Sequence, residues 1–295
     1  MELPEHVDEV AMNQYAGVQG ELLMRWAYYD AAETPFKFYP YMLAGLRLGP
    51  DESMLDVGCG DCRELTDQLR RNPEYDYFKG KVTGLDINGE PSDETNRKLV
   101  ADGLEPIDFV QGSMQDMSQF DTDTFDHTMA AFSLYHAPDP IAALGEIMRV
   151  TKPGGKVAFA TSGPDNKKKH RQFERAIAER NGVDPPPIFA AKFNSDIALT
   201  ELTKRFEPGL LQGQISRFVI NKANRDEMWP IYEGSISSMR NNFSKIILGR
   251  DWNRTIEEVV RKPIWDEIER NGEFEDLIRR FGCVMLNIPP KRHVN

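Results

Sequence analysis

Gly58 and Gly60 stand one residue apart at the end of the apolar run Met54-Leu55-Asp56-Val57. Glycines in such a place permit a tight turn and let the main chain come close to a ligand. A dinucleotide-binding turn would carry a third glycine three residues after the second. Arg63 occupies that position, so the pyrophosphate fingerprint is incomplete and a nicotinamide oxidoreductase is disfavoured. Asp56 and Asp61 flank the turn, and carboxylates suit a cationic ligand better than a pyrophosphate. Cys59 and Cys62 lie in the same turn with the spacing of half a zinc or redox motif. A zinc site would need two more ligands, and the chain offers no second pair. Cys283 makes the cysteine count odd, which argues against a disulfide framework. His136 is the other residue that could do chemistry, since an imidazole titrates in the range useful to a general base.

The frame for these residues is read from hydrophobic periodicity. From about residue 52 to 163, strand-like runs alternate with helical patterns. Strands are expected at 54–58, 81–86, 107–111, 125–132 and 156–161. Helices are expected at 64–71, 92–102 and 140–150, with a sharp turn at Lys152-Pro153-Gly154-Gly155. Such alternation implies a parallel sheet with helices on both faces. Ligands then sit outside the carboxyl ends of the strands, where strand order reverses. The glycine turn follows the first strand and His136 the fourth, which puts both at that edge. After 163 the pattern changes. Helices are expected at 169–181, 195–205, 225–249 and 254–280, and strands at 217–221 and 283–288. Pro230 has to sit near the start of its helix or kink it. The late strands are expected to complete the same sheet, and the segments between them to cover the site.

Composition narrows the function classes. The 295 residues are 40% hydrophobic, enough for a real core. No apolar run approaches the ~20 residues of a membrane span. The start, Met1 to Val10, lacks the basic flank and apolar stretch of a secretory signal, so a cytoplasmic location is the default expectation. A net charge of −11 disfavours nucleic acid as a partner. The basic stretch Lys167-Lys168-Lys169-His170-Arg171 is a candidate local patch against that balance, but reads more simply as a solvated loop or helix entrance.

The run Asp56-Val57-Gly58-Cys59-Gly60-Asp61 closely resembles the first motif of class I S-adenosylmethionine-dependent methyltransferases. The likeness continues in order through Thr83–Ile87, Gln111–Asp116, Phe125–His136 and Glu146–Gly155, and covers roughly residues 40–163. It is strongest for the small-molecule branch that includes ubiquinone-type enzymes. The resemblance implies S-adenosyl-L-methionine as cofactor and a Rossmann-like α/β fold. That fold has a seven-stranded, mostly parallel sheet with an antiparallel last strand, for which 283–288 is in the right place. It divides the chain into an N-terminal helical lid segment (1–40), a cofactor-binding core (41–163), and a helical acceptor-pocket insert with the closing strands (164–295).

Roles follow from the same resemblance, residue by residue. Asp86 would accept hydrogen bonds from both ribose hydroxyls, and Ile87 would pack on the adenine. Ser113, Met114 and Gln115 would border the adenine, with Asp116 near its exocyclic amine; Met114 also reads as core filler. Phe132 and Ser133 would line the methionine end, and Gly58 and Gly60 would let the main chain touch the cofactor beside Asp56. His136 stands where the family often has a histidine, catalytic in some members and structural in others. Tyr15 stands where an N-terminal aromatic closes over the cofactor, or is a half-buried helix aromatic. Trp26, Phe36, Phe38 and Tyr39 are pocket walls or plain core. Trp229, Tyr232, Met239 and Phe243 recur at near-helical spacing, either lining an acceptor pocket or packing a core, with core the simpler reading. The acceptor is expected to be a small molecule, methylated on O, N or C, by a monomer or homodimer without a metal. The alternatives are a nucleic-acid or protein methyltransferase and a non-catalytic S-adenosylmethionine-binding protein. After the fourth strand the chain reads Ala131-Phe132-Ser133-Leu134, not the Asn/Asp-Pro-Pro-Tyr type of signature of many amino-directed nucleic-acid enzymes.

Overall fold

The computed structural model describes residues 38–88, 90–163, 168–182, 184, 197–198, 200, 209–237 and 252–289. Seven strands form one sheet: β1 (Met54–Val57), β2 (Val82–Asp86), β3 (Asp108–Gln111), β4 (Phe125–Ala131), β5 (Thr151–Ala160), β6 (Gly209–Asn221) and β7 (Glu273–Asn287), in the order β3-β2-β1-β4-β5-β7-β6. β1 pairs in parallel with β2 on one side and β4 on the other; β2–β3 and β4–β5 are also parallel. β7 runs antiparallel to β5. The order therefore reverses between β1 and β4, and the crevice beyond their carboxyl ends is where such a sheet holds a ligand. The seven-stranded, mostly parallel sheet expected from the sequence is present.

The described helices are α1 (Phe38–Leu46), α2 (Arg63–Thr66, continued by a π-helical turn over Asp67–Arg71), α3 (Glu90–Ala101), α4 (Pro140–Val150), α5 (Lys168–Asn181), α6 (Arg225–Ser237), α7 (Trp252–Ile256) and α8 (Lys262–Asn271). α4 shows how sequence dictates an element. Asp139 accepts hydrogen bonds from the Ile141 and Ala142 amides, both at 3.0 Å, and Pro140 opens the first turn. Ala143, Leu144, Ile147 and Val150 are buried in the sheet's core, while Ile141 and Met148 are partly covered against it. Replacing Asp139 by Ala removes the acceptor for two orphan amides. The expected loss is about 1 kcal/mol of folding stability, read from urea unfolding, with no change in the fold by circular dichroism.

The chain divides into two compact units. One is built on residues 38–163, 197–200, 209–213 and 281–289; the other on 168–184, 214–237 and 252–280. In the first, Lys156 of β5 donates to the Leu46 carbonyl at 2.9 Å, tying the C-terminal end of α1 to the sheet. Gly45 lies so close to β7 that a Cβ there would stand 2.9 Å from the Met285 sulfur. In the second, Asp276 is 1% exposed and accepts from the Lys169 and His170 amides and from the Tyr232 hydroxyl, at 3.0, 2.9 and 3.1 Å. A buried carboxylate thereby caps the start of α5 and is fully used. Trp229 and Tyr232 belong to this unit's core, with Phe218, Ile264, Ile268 and Phe274. The packing reading holds for these two aromatics; Met239 and Phe243 lie outside the described residues.

Two expectations are corrected, and Pro230 finds its place. The helix read over 254–280 ends at Asn271, and the last strand begins at Glu273 rather than 283. Gly272 adopts φ 86° and donates to the Ile268 carbonyl, a left-handed cap that ends α8. Phe274 and Asp276 are then buried on alternate positions, and the charges of Glu273, Glu275 and Asp276 hide that period of two in the sequence. Pro230 lies inside α6, beyond its first turn. The turn at 152–155 exists as a bulge inside β5: Phe125 pairs with Thr151 and His127 with Lys156, so Asp126 alone faces four residues. Lys152 fills the gap with an ion pair to Asp126 at 2.8 Å.

Candidate functional site

The glycine turn leaves β1 with φ 69° at Gly58 and 57° at Gly60. The Gly58 and Cys59 amides both donate to the Leu85 carbonyl, at 2.7 and 3.2 Å, which ties the turn to the end of β2. A Cβ on Gly58 would stand 2.3 Å from the Ser133 Cβ, with the Met114 methyl at 3.2 Å. Three strand ends thus converge on a position only glycine can fill. Gly60 differs: a Cβ there would meet nothing within 4 Å, so its main chain faces open space.

Asp86 ends β2. One carboxylate oxygen accepts from the Gly60 amide at 2.8 Å and the other from the Asn88 amide at 3.0 Å. Burial pushes this carboxyl above its ordinary pKa, against the pull of the Asn88, Gly60 and Ile87 amides. Two oxygens offer about four acceptor sites, so the three amides leave the carboxylate able to take a further donor. The Gly112 amide donates to the Asp86 carbonyl at 2.8 Å, and Gln111 donates to the Ile87 carbonyl at 2.9 Å, so the loop after β3 is held to the same corner. Within that loop the Ser113 hydroxyl accepts from the Gln115 amide at 3.2 Å. Asp116 is exposed and accepts from the Ser118 amide at 3.1 Å.

At the end of β4, Phe132 holds φ 53°, a left-handed conformation rare outside glycine. Its amide donates to the Ala160 carbonyl at 3.0 Å, which keeps it there. Ser133 is buried, and its hydroxyl donates to the Val57 carbonyl at 2.6 Å, joining β4 to the turn after β1. His136 follows in a short 3-10 turn, its ring against Tyr135 at 4.5 Å between centroids. Burial pulls its imidazole down to about 4.

Asp56 sits within β1, wholly buried. The Tyr39 hydroxyl of α1 donates to Oδ2 at 3.3 Å, while Oδ1 has no hydrogen-bond partner among the described residues. Burial pushes this carboxyl up to about 7, with the Tyr39 bond opposing and the Asp86 charge adding to the rise. The Tyr39–Asp56 link spans 17 residues and left no periodic signal in the sequence. The structure brings Asp56, Gly58, Gly60, Asp86, Ile87, Ser113, Met114, Gln115, Phe132, Ser133 and His136 to the carboxyl ends of β1 to β4. Tyr15 lies outside the described residues. Among the described residues no group of three or more His, Cys, Asp or Glu could hold a metal ion.

Comparison with known proteins agrees with this fold. Residues 55–159 match the family described as Methyltransferase domain. That stretch, about a third of the chain, is similar to methyltransferase domains. Over 152 residues it is 33% identical to sterol 24-C-methyltransferase erg-4 of Neurospora crassa, which covers 48% of this chain and 38% of that protein. It is 34% identical over 119 residues to ubiquinone biosynthesis O-methyltransferase of Nitrosococcus oceani, 40% of this chain and 44% of the relative. The matched stretch therefore spans less than half the length of these relatives. The fold is shared more widely. The [4+2]-cyclase SpnF aligns with a TM-score of 0.56 at 15% identity over 98% of both chains. Haemonchus contortus phosphoethanolamine N-methyltransferase 2, bound to S-adenosyl-L-methionine, aligns at 0.52 and 15% identity, covering 98% of this chain and 61% of that one. A cyclase among these neighbours means that the methyltransferase fold alone does not fix the reaction.

Proposed function

We propose that this protein transfers the methyl group of S-adenosyl-L-methionine to an oxygen, nitrogen or carbon atom of a small-molecule acceptor. The observation that carries the reading is Asp86, its carboxylate held between the Gly60 and Asn88 amides at the tip of β2 with lone pairs to spare. Two further features fit the cofactor. The main chain at Gly60 has room for a ligand against it. Asp56 keeps a buried carboxylate oxygen without a partner among the described residues, beside the same turn, which suits a cationic amino acid. The cofactor supplies an electrophilic methyl on a sulfonium. The protein's task is to align donor and acceptor and to keep water away. Asp86 and Gly60 take the adenosyl side, the 113–115 loop borders it, and Phe132 and Ser133 present backbone groups at the opposite end. Tyr15 is assigned to closing over the site. The net charge of −11 sets the acceptor against polyanions. The relatives' names include both C- and O-methylation, so the acceptor atom stays open within the reading.

The test is calorimetry with S-adenosylhomocysteine, followed by incubation of the protein with methyl-labelled cofactor and a metabolite extract. Saturable binding and label in a small molecule are expected. Binding of NAD in place of S-adenosylhomocysteine would sink the reading, and binding without label transfer to any acceptor would move it to a non-catalytic binder. His136 has a defined part. With its pKa near 4 the imidazole is neutral throughout the working range and a weak base, suited to accepting a hydrogen bond from the acceptor. His136→Ala is expected to lower kcat by less than the 10²–10⁴-fold of a lost general base, roughly tenfold to a hundredfold. The rate of the parent protein should show no ionisation from this residue between about pH 5.5 and 8.

A further inference from the structure

Cys59 and Cys62 take no part in the reading above. They are 6% and 1% exposed, and their sulfurs stand 2.6 Å apart. The Cys62 amide donates to the Cys59 carbonyl at 2.9 Å, closing a turn that brings the two Cα atoms within the ~7 Å that a bridge requires. Both side chains converge on Gly84 in the middle of β2. A Cβ there would stand 2.6 Å from the Cys62 sulfur and 2.8 Å from that of Cys59, so the glycine makes the space the pair occupies. Cys62 holds φ 55°, a conformation that favours glycine, yet a thiol-bearing residue stands there. Among the described residues no third ligand completes a metal site, which leaves chemistry that two sulfurs can do by themselves.

We propose that Cys59 and Cys62 are a reversible dithiol–disulfide site built into the glycine turn and oxidised by low-molecular-weight disulfides. One cysteine, as its thiolate, attacks a sulfur of the disulfide RSSR; that S–S bond breaks and RS⁻ leaves with a proton from solvent. The second cysteine gives its proton to solvent and attacks the first cysteine's sulfur in the mixed disulfide, and the second RS⁻ departs. The balance is one intramolecular S–S bond, two RSH, and two electrons passed from the cysteine pair to RSSR. Burial above all, and then the Cys62 sulfur, push the Cys59 thiol well up, so at rest Cys59 is protonated. Exchange is therefore slow and proceeds through opening of the turn. The bridge closes a loop that contains Gly60, whose amide holds Asp86, so oxidation fixes the corner of the site. That last consequence rests on the proposed cofactor reading; formation of the bridge does not.

The experiment incubates the full chain with oxidised glutathione, with and without excess S-adenosylhomocysteine, then alkylates remaining thiols in denaturant and digests with trypsin. Both cysteines fall in the single peptide 48–63. The expected product is that peptide lighter by two hydrogens and unalkylated, restored by dithiothreitol, together with a higher midpoint of thermal unfolding. The Cys62→Ser variant should show no such rise on oxidation. A stable glutathione adduct on either cysteine, a link to Cys283, or full alkylation after prolonged oxidation overturns the proposal. S-adenosylhomocysteine is expected to slow the reaction. A bridge that forms equally fast with and without it supports the thiol site and counts against the cofactor reading.

Discussion

An Asp86→Ala variant binds S-adenosylhomocysteine on the order of a hundredfold more weakly than the parent protein, while keeping its sheet. Two effects add. The ribose side loses hydrogen bonds to a charged acceptor, each worth about 1.5–3 kcal/mol when the partner stays buried. The Gly60 amide also loses the carboxylate that holds it at 2.8 Å, so the turn is less ordered before the ligand arrives. Because the two effects share one residue they do not sum in full, and a total of roughly 2–4 kcal/mol is expected. Asp86→Asn separates them. An asparagine keeps one acceptor oxygen for the Gly60 or Asn88 amide but lacks the charge, so its affinity should fall between parent and alanine variant. Calorimetry across the three proteins reads the order. Equal affinity in all three would remove Asp86 from the ligand and leave it a turn-stabilising acid. Stability moves differently. Burial raises the Asp86 carboxyl, so removing it relieves a cost that grows as pH rises through its folded pKa.

How much of this was legible in the sequence depends on the range of the interactions. The parallel core was readable because its signals are local: period-two apolar runs, Asp139-Pro140 at the head of α4, and glycines where φ turns positive. The site residues followed from the same runs, since a parallel sheet puts every strand end at one edge. Long-range pairings left no trace. Tyr39 on Asp56, Ser133 on Val57, and the collision that makes Gly58 obligatory each join positions that no window of sequence spans. Unit two misled for a related reason. Glu273, Glu275 and Asp276 look like the charged face of a continuing helix, but Asp276 is buried because it caps α5 more than 100 residues earlier. A buried charge reads as exposed until its partners are known. The cysteine pair belongs to the same class: the spacing was visible, but Gly84, which gives the sulfurs their room, lies on another strand.

Asp56 is expected to make the protein both less stable and better at holding a cation, and pH separates the two. Its carboxyl is near 3.8 when unfolded and about 7 in the folded protein. Below the lower value both states are protonated and the group has no effect. Between them the unfolded chain ionises first, so stability falls by about 1.4 kcal/mol per pH unit, reaching roughly 4 kcal/mol above the folded pKa. His136 works the other way in an overlapping window. Its folded pKa is depressed from 6.5 to about 4, so its contribution is present above 6.5 and is lost as pH falls. The parent protein should therefore show a shallow profile in which the two partly cancel, and the effect of Asp56 appears only in the difference from Asp56→Asn. That variant is expected to gain on the parent steadily from about pH 4 to 7 and then to hold a constant advantage, read from urea unfolding at each pH. Ligand binding should show the mirror image. A cation beside Asp56 favours its carboxylate, so the parent takes up the cofactor with release of a proton below about pH 7, and its affinity weakens by up to tenfold per pH unit on acidification. Calorimetry in buffers of different ionisation heat measures that proton directly. In Asp56→Asn the release and the pH dependence should both vanish, along with much of the affinity. A parent that binds without proton release at pH 6, or a variant whose stability tracks the parent's at every pH, would show that the buried carboxyl is spectator to both processes. The opposite outcome would explain why a chain retains, in the middle of its first strand, an acid that an amide could replace at a gain in stability: the unpaired oxygen is kept ready for a charge that arrives with the ligand.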